Sequence, residues 1–164
     1  MLFRSSGRGG GGGGFGRGGG AGEQTPLMVA ARNDREEVMR TLVAAGADPA
    51  LRAQDGSNLL MNAASGARIK TVKYAYELDP HVNVVASGST TIMHAAVALG
   101  ARTQPEVCEV VQFLADRGAA LDELNGVGRT PIAVADNLPV DMAVALLTRL
   151  ITERGGTPKI PSKR

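Results

Sequence analysis

The sequence predicts an all-α protein: an α-solenoid of four stacked helix-turn-helix repeats with β-turn-like loops between them, preceded by a disordered Gly-rich tail. Three observations predict this fold. A seven-residue block typical of a helix start occurs four times, and its first residues stand 33, 32 and 40 positions apart. An apolar second helix that ends in glycine recurs between blocks, and a period of about 20–50 residues is typical of stacked arrays. Aromatic residues form only 3% of the chain, so small aliphatic side chains must fill the core, which favours closely packed helices.

Each repeated block combines a helix-capping residue with small apolar side chains. Thr25, Asn58, Thr90 and Thr130 open the blocks, and the oxygen of such a side chain accepts a backbone N–H of the first helical turn. Proline follows Thr25 and Thr130 at the first helical position, where a missing N–H costs nothing. Paired alanines in the first three blocks let neighbouring helices approach closely. The blocks are residues 25–31 (TPLMVAA), 58–64 (NLLMNAA), 90–96 (TTIMHAA) and 130–136 (TPIAVAD).

The second helices are predicted from apolar residues at helical spacing. In the third repeat, the residues at i, i+3, i+4 and i+7 are Val107, Val110, Val111 and Leu114. Gly46 and Gly118 stand where a helix commonly ends in a left-handed residue. Asp55-Gly56 and Asn125-Gly126 then mark turns at which the chain reverses into the next repeat.

The period, the helix-start motif and the ending Gly46-Ala47-Asp48 together resemble the ankyrin repeat, whose signature is Thr-Pro-Leu-His-x-Ala. The resemblance covers residues 22–157. It implies four ankyrin-type repeats, which span residues 22–55, 56–87, 88–127 and 128–157. Residues 1–21 are then a Gly-rich leader, and residues 158–164 a basic C-terminal tail.

Three departures from the ankyrin pattern predict local irregularity. The positions at which the motif usually has histidine are assigned to Met28, Met61, Met93 and Ala133, and the methionines are expected in the core. The second repeat lacks the motif proline and ends in Asp79-Pro80-His81, so we expect it to be the least regular. The third has about seven extra residues between its helices, residues 100–105 among them, which we expect to form a loop on one face, where insertions often serve binding.

The net charge of +2 is unevenly distributed along the chain. Residues 1–21 and 155–164 each carry +3, so residues 22–154 carry −4 and give no reason to expect a polyanionic partner. With eleven glycines, the leader has the composition of a flexible tether. An arginine-glycine tail that binds nucleic acid is the alternative, but three arginines give it little electrostatic attraction.

The sequence contains neither a phosphate-binding Gly-Lys-Ser/Thr loop nor a run of about 20 apolar residues that could cross a membrane. No apolar run typical of a secretory signal follows Met1, and we therefore expect a cytoplasmic protein. A chain that opens inside a glycine tract leaves open that its true N-terminus is missing.

The sequence predicts a protein that is not an enzyme, with no catalytic residue, no metal site and no cofactor. One cysteine and two histidines are too few for a thiolate–imidazole metal cluster. We expect Cys108 to pack as a small hydrophobe, His94 to be packed or hydrogen-bonded in its motif, and His81 to be exposed at a turn. The acidic pairs Glu36-Glu37 and Asp122-Glu123 are expected to be solvated, which leaves no acid–base couple.

The ankyrin resemblance implies a protein partner, bound on the concave surface that stacked repeats form. We expect that surface to include the turns between repeats and the exposed ends of the first helices. The candidate binding residues are Arg32, Asn33, Arg52, Gln54, Asp55, Ser57, Ser65, Ser87, Ser89, Leu124, Asn125, Arg129 and Asn137. An alternative function is that of a C-terminal repeat fragment, in which these repeats continue an array within a larger protein.

Overall fold

The computed structural model describes residues 23–98 and 100–159, which form eight helices and one two-stranded sheet. The helices are α1 (Pro26–Arg32), α2 (Glu36–Ala44), α3 (Leu59–Gly66), α4 (Ile69–Leu78), α5 (Ile92–Ala96), α6 (Gln104–Asp116), α7 (Pro131–Ala135) and α8 (Asp141–Glu153). Strand β1 (Val85–Ala86) pairs antiparallel with β2 (Thr90–Thr91). The predicted glycine-rich leader and all of the predicted basic tail except residues 158 and 159 lie outside the described residues.

The eight helices pack as four pairs that neighbour one another in chain order. Each odd-numbered helix packs against the even-numbered helix that follows it. The odd-numbered helices α1, α3, α5 and α7 pack in sequence as an inner row, and α4, α6 and α8 pack in sequence in the outer row, which α2 begins. The prediction of a solenoid of four stacked helix pairs is therefore confirmed.

Three of the four predicted caps hold the inner helices as expected. The side chains of Thr25, Asn58 and Thr130 each accept the backbone N–H of the residue three positions on, at 3.2, 2.9 and 3.3 Å. Pro26 and Pro131 occupy the first helical positions of α1 and α7. Each of these helices is thus started by the side chain that the repeated block places in front of it.

The prediction that Thr90 caps the third inner helix is wrong by one residue. Thr90 pairs with Ala86 in the small sheet, and Thr91 is the N-cap of α5. The four N-caps therefore stand 33, 33 and 39 residues apart. With this register, His94 and not Met93 takes the position of the motif histidine, so a polar side chain is kept there in the third repeat.

His94 joins its own helix to the turn that precedes the next one. The backbone N–H of Thr91 donates to His94 Nδ1 at 3.3 Å, which leaves Nε2 to donate to the carbonyl oxygen of Arg129 at 2.9 Å. Burial lowers the pKa of His94 below its ordinary value of 6.5, because burial disfavours the charged imidazole more than the bond to Arg129 favours it. The neutral ring is therefore the form that this position selects, and the hydrogen-bonded histidine predicted from the sequence is confirmed.

The outer helices end as their glycines predict. Gly46 and Gly118 adopt positive φ of 92° and 85° one residue after the cap. The next backbone N–H groups, of Ala47 and Ala119, donate to Leu42 O and Leu114 O at 2.9 and 3.0 Å. This bond across the helix end satisfies carbonyls that the helix itself leaves free, so each outer helix ends at a defined residue.

The core is made of alanines and of side chains from the repeated blocks. The fully buried residues include Ala31, Ala63, Ala64 and Ala96, together with Leu59, Leu60 and Ile92. Met28, Met61 and Met93 are also buried, which confirms their predicted place in the core. Small side chains on the inner helices thus allow the close helix packing that the scarcity of aromatics required.

The extra residues of the third repeat lie between its two helices, but the prediction that they form a free loop is only partly right. Gln104 and Pro105 already belong to α6, which begins with a capping pair of Thr103 and Glu106. Arg102 is buried, with 4% of its surface exposed. Its burial shows that the insertion fills the space at the ends of α3 and α5.

The second repeat is irregular only where it ends. Its helices α3 and α4 have 8 and 10 residues, and α4 ends at Asp79 in extended backbone. The buried Asp79 carboxylate contacts Nδ1 of the exposed His81 at 2.6 Å. This contact replaces the glycine ending found in the first and third repeats, and it confirms that His81 lies exposed at a turn.

Candidate binding surface

Three turns precede α3, α5 and α7, and we call them finger 1 (residues 51–57), finger 2 (residues 84–90) and finger 3 (residues 123–129). Asparagine and aspartate side chains shape two of them. The carboxylate of Asp55 accepts the N–H of Ser57 at 2.9 Å, and Asn125 Oδ1 accepts the N–H groups of Val127 and Arg129 at 3.1 and 3.0 Å. Such local bonds fix a turn without any contact from the rest of the protein.

Backbone hydrogen bonds connect the fingers in a row. The N–H of Ser87 donates to Asp55 O at 2.7 Å, and the N–H of Gly126 donates to Gly88 O at 2.6 Å. A Cβ atom on Gly126 would lie 3.0 Å from that same oxygen, so a larger residue there would require finger 2 to shift slightly. The fingers are therefore joined mainly by main-chain atoms, with one further bond from the Ser87 hydroxyl to Asp55 O at 3.1 Å.

Twelve of the thirteen predicted binding residues have side chains that reach solvent. Ser57 is the exception, because it is buried and its hydroxyl accepts a hydrogen bond from the Asn62 amide at 3.0 Å. Its prediction as a surface residue is wrong. The half-buried residues are Ser65 and Asn125. The exposed ones are Arg32, Asn33, Arg52, Gln54, Asp55, Ser87, Ser89, Leu124, Arg129 and Asn137.

The structure separates these residues into two groups. Arg52, Gln54, Asp55, Ser87, Ser89, Leu124, Asn125 and Arg129 lie on the fingers, where they share one row. Arg32, Asn33, Ser65 and Asn137 lie at or just after the carboxyl ends of inner helices. The sequence analysis expected one surface. In the structure its residues lie in two separate regions, the finger row and the opposite ends of the inner helices.

The fingers carry exposed apolar side chains that the sequence reasoning largely missed. Val85 and Leu124 are 60% and 53% exposed, and Leu51 and Val127 are exposed as well. Of these, only Leu124 was predicted. Val85 and Leu124 line a groove of about 360 Å³ between fingers 2 and 3, together with Asn83, Ser89, Thr91, Ala120 and Glu123. The sequence feature that was overlooked is an apolar side chain in a turn whose conformation does not require an apolar residue.

Arg32, Asn33 and Ser65 line a second, polar cavity of about 310 Å³, which we call the loop-end pocket. Its other walls are Asp34, Gly66, Arg68, Gly100, Ala101 and Arg102. Arg68 donates to Asp34 Oδ2 at 2.9 Å and to Glu106 Oε1 at 2.6 Å, which connects three successive repeats. The backbone and hydroxyl of Thr103, together with Arg68, lower the pKa of Glu106 to about 2.

Arg102 forms the buried side of the loop-end pocket. Its two terminal nitrogens donate to four backbone carbonyls, those of Ala64, Ala67, Ala96 and Ala98, while its Nε has no hydrogen-bond partner among the described residues. Burial lowers the pKa of Arg102 to about 10, against smaller opposing effects of Glu106 and Asp34. Sequence reasoning missed this residue because an arginine in an insertion has the composition of a surface loop.

A comparison with known families decides what this arrangement is. The family model described as "Ankyrin repeats (3 copies)" matches residues 27–125, which include the first three helix pairs and the turn after them. The chain belongs to the ankyrin-repeat family. Beyond the matched residues, α7 and α8 add a fourth helix pair to this ankyrin array. In a search of curated proteins, none matched the chain.

Ankyrin repeats are generally protein–protein interaction modules and generally not enzymes. Burial raises the pKa of the half-buried Cys108 thiol, which makes it a poorer nucleophile. Within residues 23–98 and 100–159, no three His, Cys, Asp or Glu side chains are grouped so that they could hold a metal ion. No helix in the same part of the chain has the length and apolar character to cross a membrane.

One charged side chain of the ankyrin array is not where the sequence placed it. Glu36 was expected to be solvated with Glu37, but it is buried between the first and second outer helices. It accepts hydrogen bonds from Arg40 at 2.7 and 3.0 Å and contacts Lys70 at 3.2 Å. The bond from Arg40, on the same helix, is the largest cause that lowers the pKa of Glu36, and Lys70 of α4 lowers it further.

Proposed function

We propose that this chain is a non-enzymatic protein-binding module that recognises its partner with the finger row and the groove between fingers 2 and 3. The observation that carries the proposal is the pair of exposed apolar side chains, Val85 and Leu124, on either side of that groove. Apolar residues surrounded by polar ones are typical of the centre of a protein interface, and the polar residues of its rim.

The surroundings of the groove support this assignment. Ser89 lines the groove, and Arg129 and Gln54 are exposed elsewhere on the same row of fingers. The backbone of the row is already ordered by its own hydrogen bonds, so a partner loses little further entropy of this chain on binding. An ordered surface with an apolar centre and a polar rim favours binding of a folded protein, without any chemical reaction on that partner.

Site-specific photo-crosslinking tests this proposal. A crosslinking residue in place of Val85 is compared with the same residue in place of Ala145, an exposed position of α8 in the outer row. We expect protein adducts from position 85 that position 145 does not give. Equal adducts from both positions, or adducts from position 145 alone, would contradict the assignment of the finger row.

A triple variant provides a second readout of the same surface. Arg52→Ala, Gln54→Ala and Arg129→Ala together should weaken capture of the crosslinked partner by about tenfold or more, because they remove exposed polar side chains from the finger row. The matched control replaces exposed outer-row residues Glu77, Glu109 and Thr152 by alanine and should leave capture unchanged. Weaker capture by the outer-row control, with unchanged capture by the finger-row variant, would show that the interface lies on the outer helices.

A second candidate function is supported by the open side of the first helix pair. There Val29 and Val38 are 45% and 48% exposed, and they line a groove of about 580 Å³ with Pro26, Ala30 and Leu42. The positions equivalent to Val38 in the next two outer helices, Thr71 and Val110, are buried under the preceding repeat. This difference favours a chain whose array is continued by a further helix pair stacked on α1 and α2.

Self-association of residues 22–164 distinguishes the two candidates. An open apolar side that normally receives a helix pair should cause association, and Val38→Lys should abolish it, whereas Thr41→Lys on the same helix should not. Sedimentation of a stable monomer that neither substitution changes would support the single module. Association that Val38→Lys removes would support the continued array.

A further inference from the structure

The loop-end pocket combines a buried cation with an exposed one that has no partner among the described residues. The buried cation is Arg102, whose charge meets only carbonyl groups in its hydrogen bonds. The exposed cation is Arg32, and its guanidinium makes no hydrogen bond or ion pair with any other described residue. Buried charges are normally paired with a charge of opposite sign, so the pocket lacks the counterion that its buried wall favours.

The two carboxylates beside the pocket, Asp34 and Glu106, offset the burial of Arg102 only in part, and their oxygens accept hydrogen bonds from other groups. Asp34 accepts from the backbone N–H and Nη1 of Arg68 and from the hydroxyl of Thr71, at 3.1, 2.9 and 2.6 Å. Glu106 accepts from Arg68 Nε and from the N–H and hydroxyl of Thr103. Three arginines and two carboxylates leave this region with a local charge of +1.

We infer that the loop-end pocket receives the carboxylate of an acidic side chain of the protein partner, bound by Arg32 and facing Arg102. Arg32 offers a planar set of N–H donors, and the Nη2 of Arg68 has no acceptor among the described residues. This inference rests on the proposed function, because it names the chemistry of a partner. It adds a second contact at the far ends of the inner helices.

A carboxylate fits the pocket better than a phosphate does. The local charge of +1 is neutralised by a single negative charge. A phosphate with two charges would leave an excess beside Asp34 and Glu106. The carbonyl groups at the carboxyl ends of α1, α3 and α5 carry partial negative charge, which disfavours a doubly charged anion more than a singly charged one.

Titration of the full chain with acetate tests the inference without any partner. The probe is sodium acetate against sodium chloride at constant ionic strength, and the readout is the set of backbone amide and arginine Nε–Hε resonances in an NMR spectrum. We expect saturable shifts confined to Arg32, Ser65, Gly66 and Ala101. Arg32→Gln should weaken the acetate affinity by about tenfold, because it removes the free donor of the pocket.

The matched control is Arg149→Gln, which makes the same change of charge on the exposed side of α8 in the outer row and should leave acetate binding unchanged. Shifts that do not saturate, or that are equal in both variants, would overturn the inference. Inorganic phosphate bound about tenfold more tightly than acetate would also overturn it, in favour of a phosphate ligand. Because none of these measurements involves the finger row, failure here leaves the proposed function to its own crosslinking test.

Discussion

The two ends of the helix pairs are held together by different kinds of bond. At the finger end, Ser87 N–H and Gly126 N–H donate to backbone carbonyls of the preceding finger. At the loop end, the connections are made by side chains, in which Arg68 bridges Asp34 and Glu106 and Arg102 bonds four carbonyls. The connections between repeats at the loop end therefore depend on particular side chains, whereas those between fingers depend mainly on the backbone.

This difference explains why recognition is expected at the fingers first. A side chain with no structural role can vary with the partner, while a side chain that completes the fold cannot. Arg52, Gln54 and Arg129 are exposed and are not among the groups that hold the finger row. The substitutions below test this contrast between the two ends.

The largest effect is expected for Arg102→Ala at the loop end. The substitution leaves four buried carbonyls without their donor and should lower the free energy of unfolding by about 3 kcal/mol. Urea unfolding of the full chain measures it. Arg52→Ala on finger 1 is the control and should change stability by less than about 0.5 kcal/mol. Equal losses in both variants would remove the contrast.

The next effect compares two glycines, one at each end. A Cβ on Gly66 would lie 2.3 Å from the carbonyl oxygen of Arg32, which is closer than non-bonded atoms can stand. Gly66→Ala should therefore lower the free energy of unfolding by about 2 kcal/mol, since the backbone of α1 must move away. The contact at Gly126 is looser, at 3.0 Å, so Gly126→Ala should lose about half as much. Thermal unfolding of both variants ranks them, and a larger loss at Gly126 would contradict this reasoning.

Lowering the pH should reduce the stability contributed at the finger end before it reduces the stability contributed at the loop end. The pKa of His94 is lowered in the folded chain, so the contribution of His94 to folding stability is complete above pH 6.5 and is lost as the pH falls below that value. The pKa of Glu106 is lowered from 4.5 to about 2, so its contribution is complete above pH 4.5 and is lost as the pH falls toward 2. Stability measured against pH should show the upper step in the wild type and lose it in His94→Asn. His81→Asn, which changes an exposed histidine, should keep the step.

The smallest effect is expected for Ser89→Gly on finger 2. Ser89 has a φ of 52°, while the equivalent positions in fingers 1 and 3 are Gly56 and Gly128 with φ of 82° and 73°. Glycine adopts this backbone without strain, which stabilises the folded chain, but it also raises the entropy of the unfolded chain. The net increase in the free energy of unfolding should be about 0.5 kcal/mol. Chemical unfolding measures the gain. A loss would show that the Ser89 side chain contributes to the fold.

Sequence periodicity predicted the fold because the signal is repeated four times and each copy supports the others. The same signal could not place the cap of the third repeat, since Thr90 and Thr91 are adjacent and chemically equal. Their roles are decided by the pairing of Thr90 with Ala86, a contact within finger 2 that no helical pattern contains.

The site was predicted in part, and several of the errors concern polar side chains that were expected at the surface. Ser57 is instead buried against Asn62 of its own repeat. Glu36 is buried with Arg40 of its own helix and Lys70 of the next repeat as partners. Arg102 is a further buried side chain of this kind. A polar side chain in a stacked array can be satisfied by the next repeat, and its sequence neighbours do not reveal this.

The approach of Gly126 to Gly88 also sets the distance between two fingers. Since main chain meets main chain there, the separation cannot be reduced further, and any larger residue at position 126 would increase it. The groove lined by Val85 and Leu124 thus has its width fixed before a ligand arrives. For the binding function proposed above, this width sets the thickness of the side chain that the groove can admit, and a change at one glycine outside the lining would alter it.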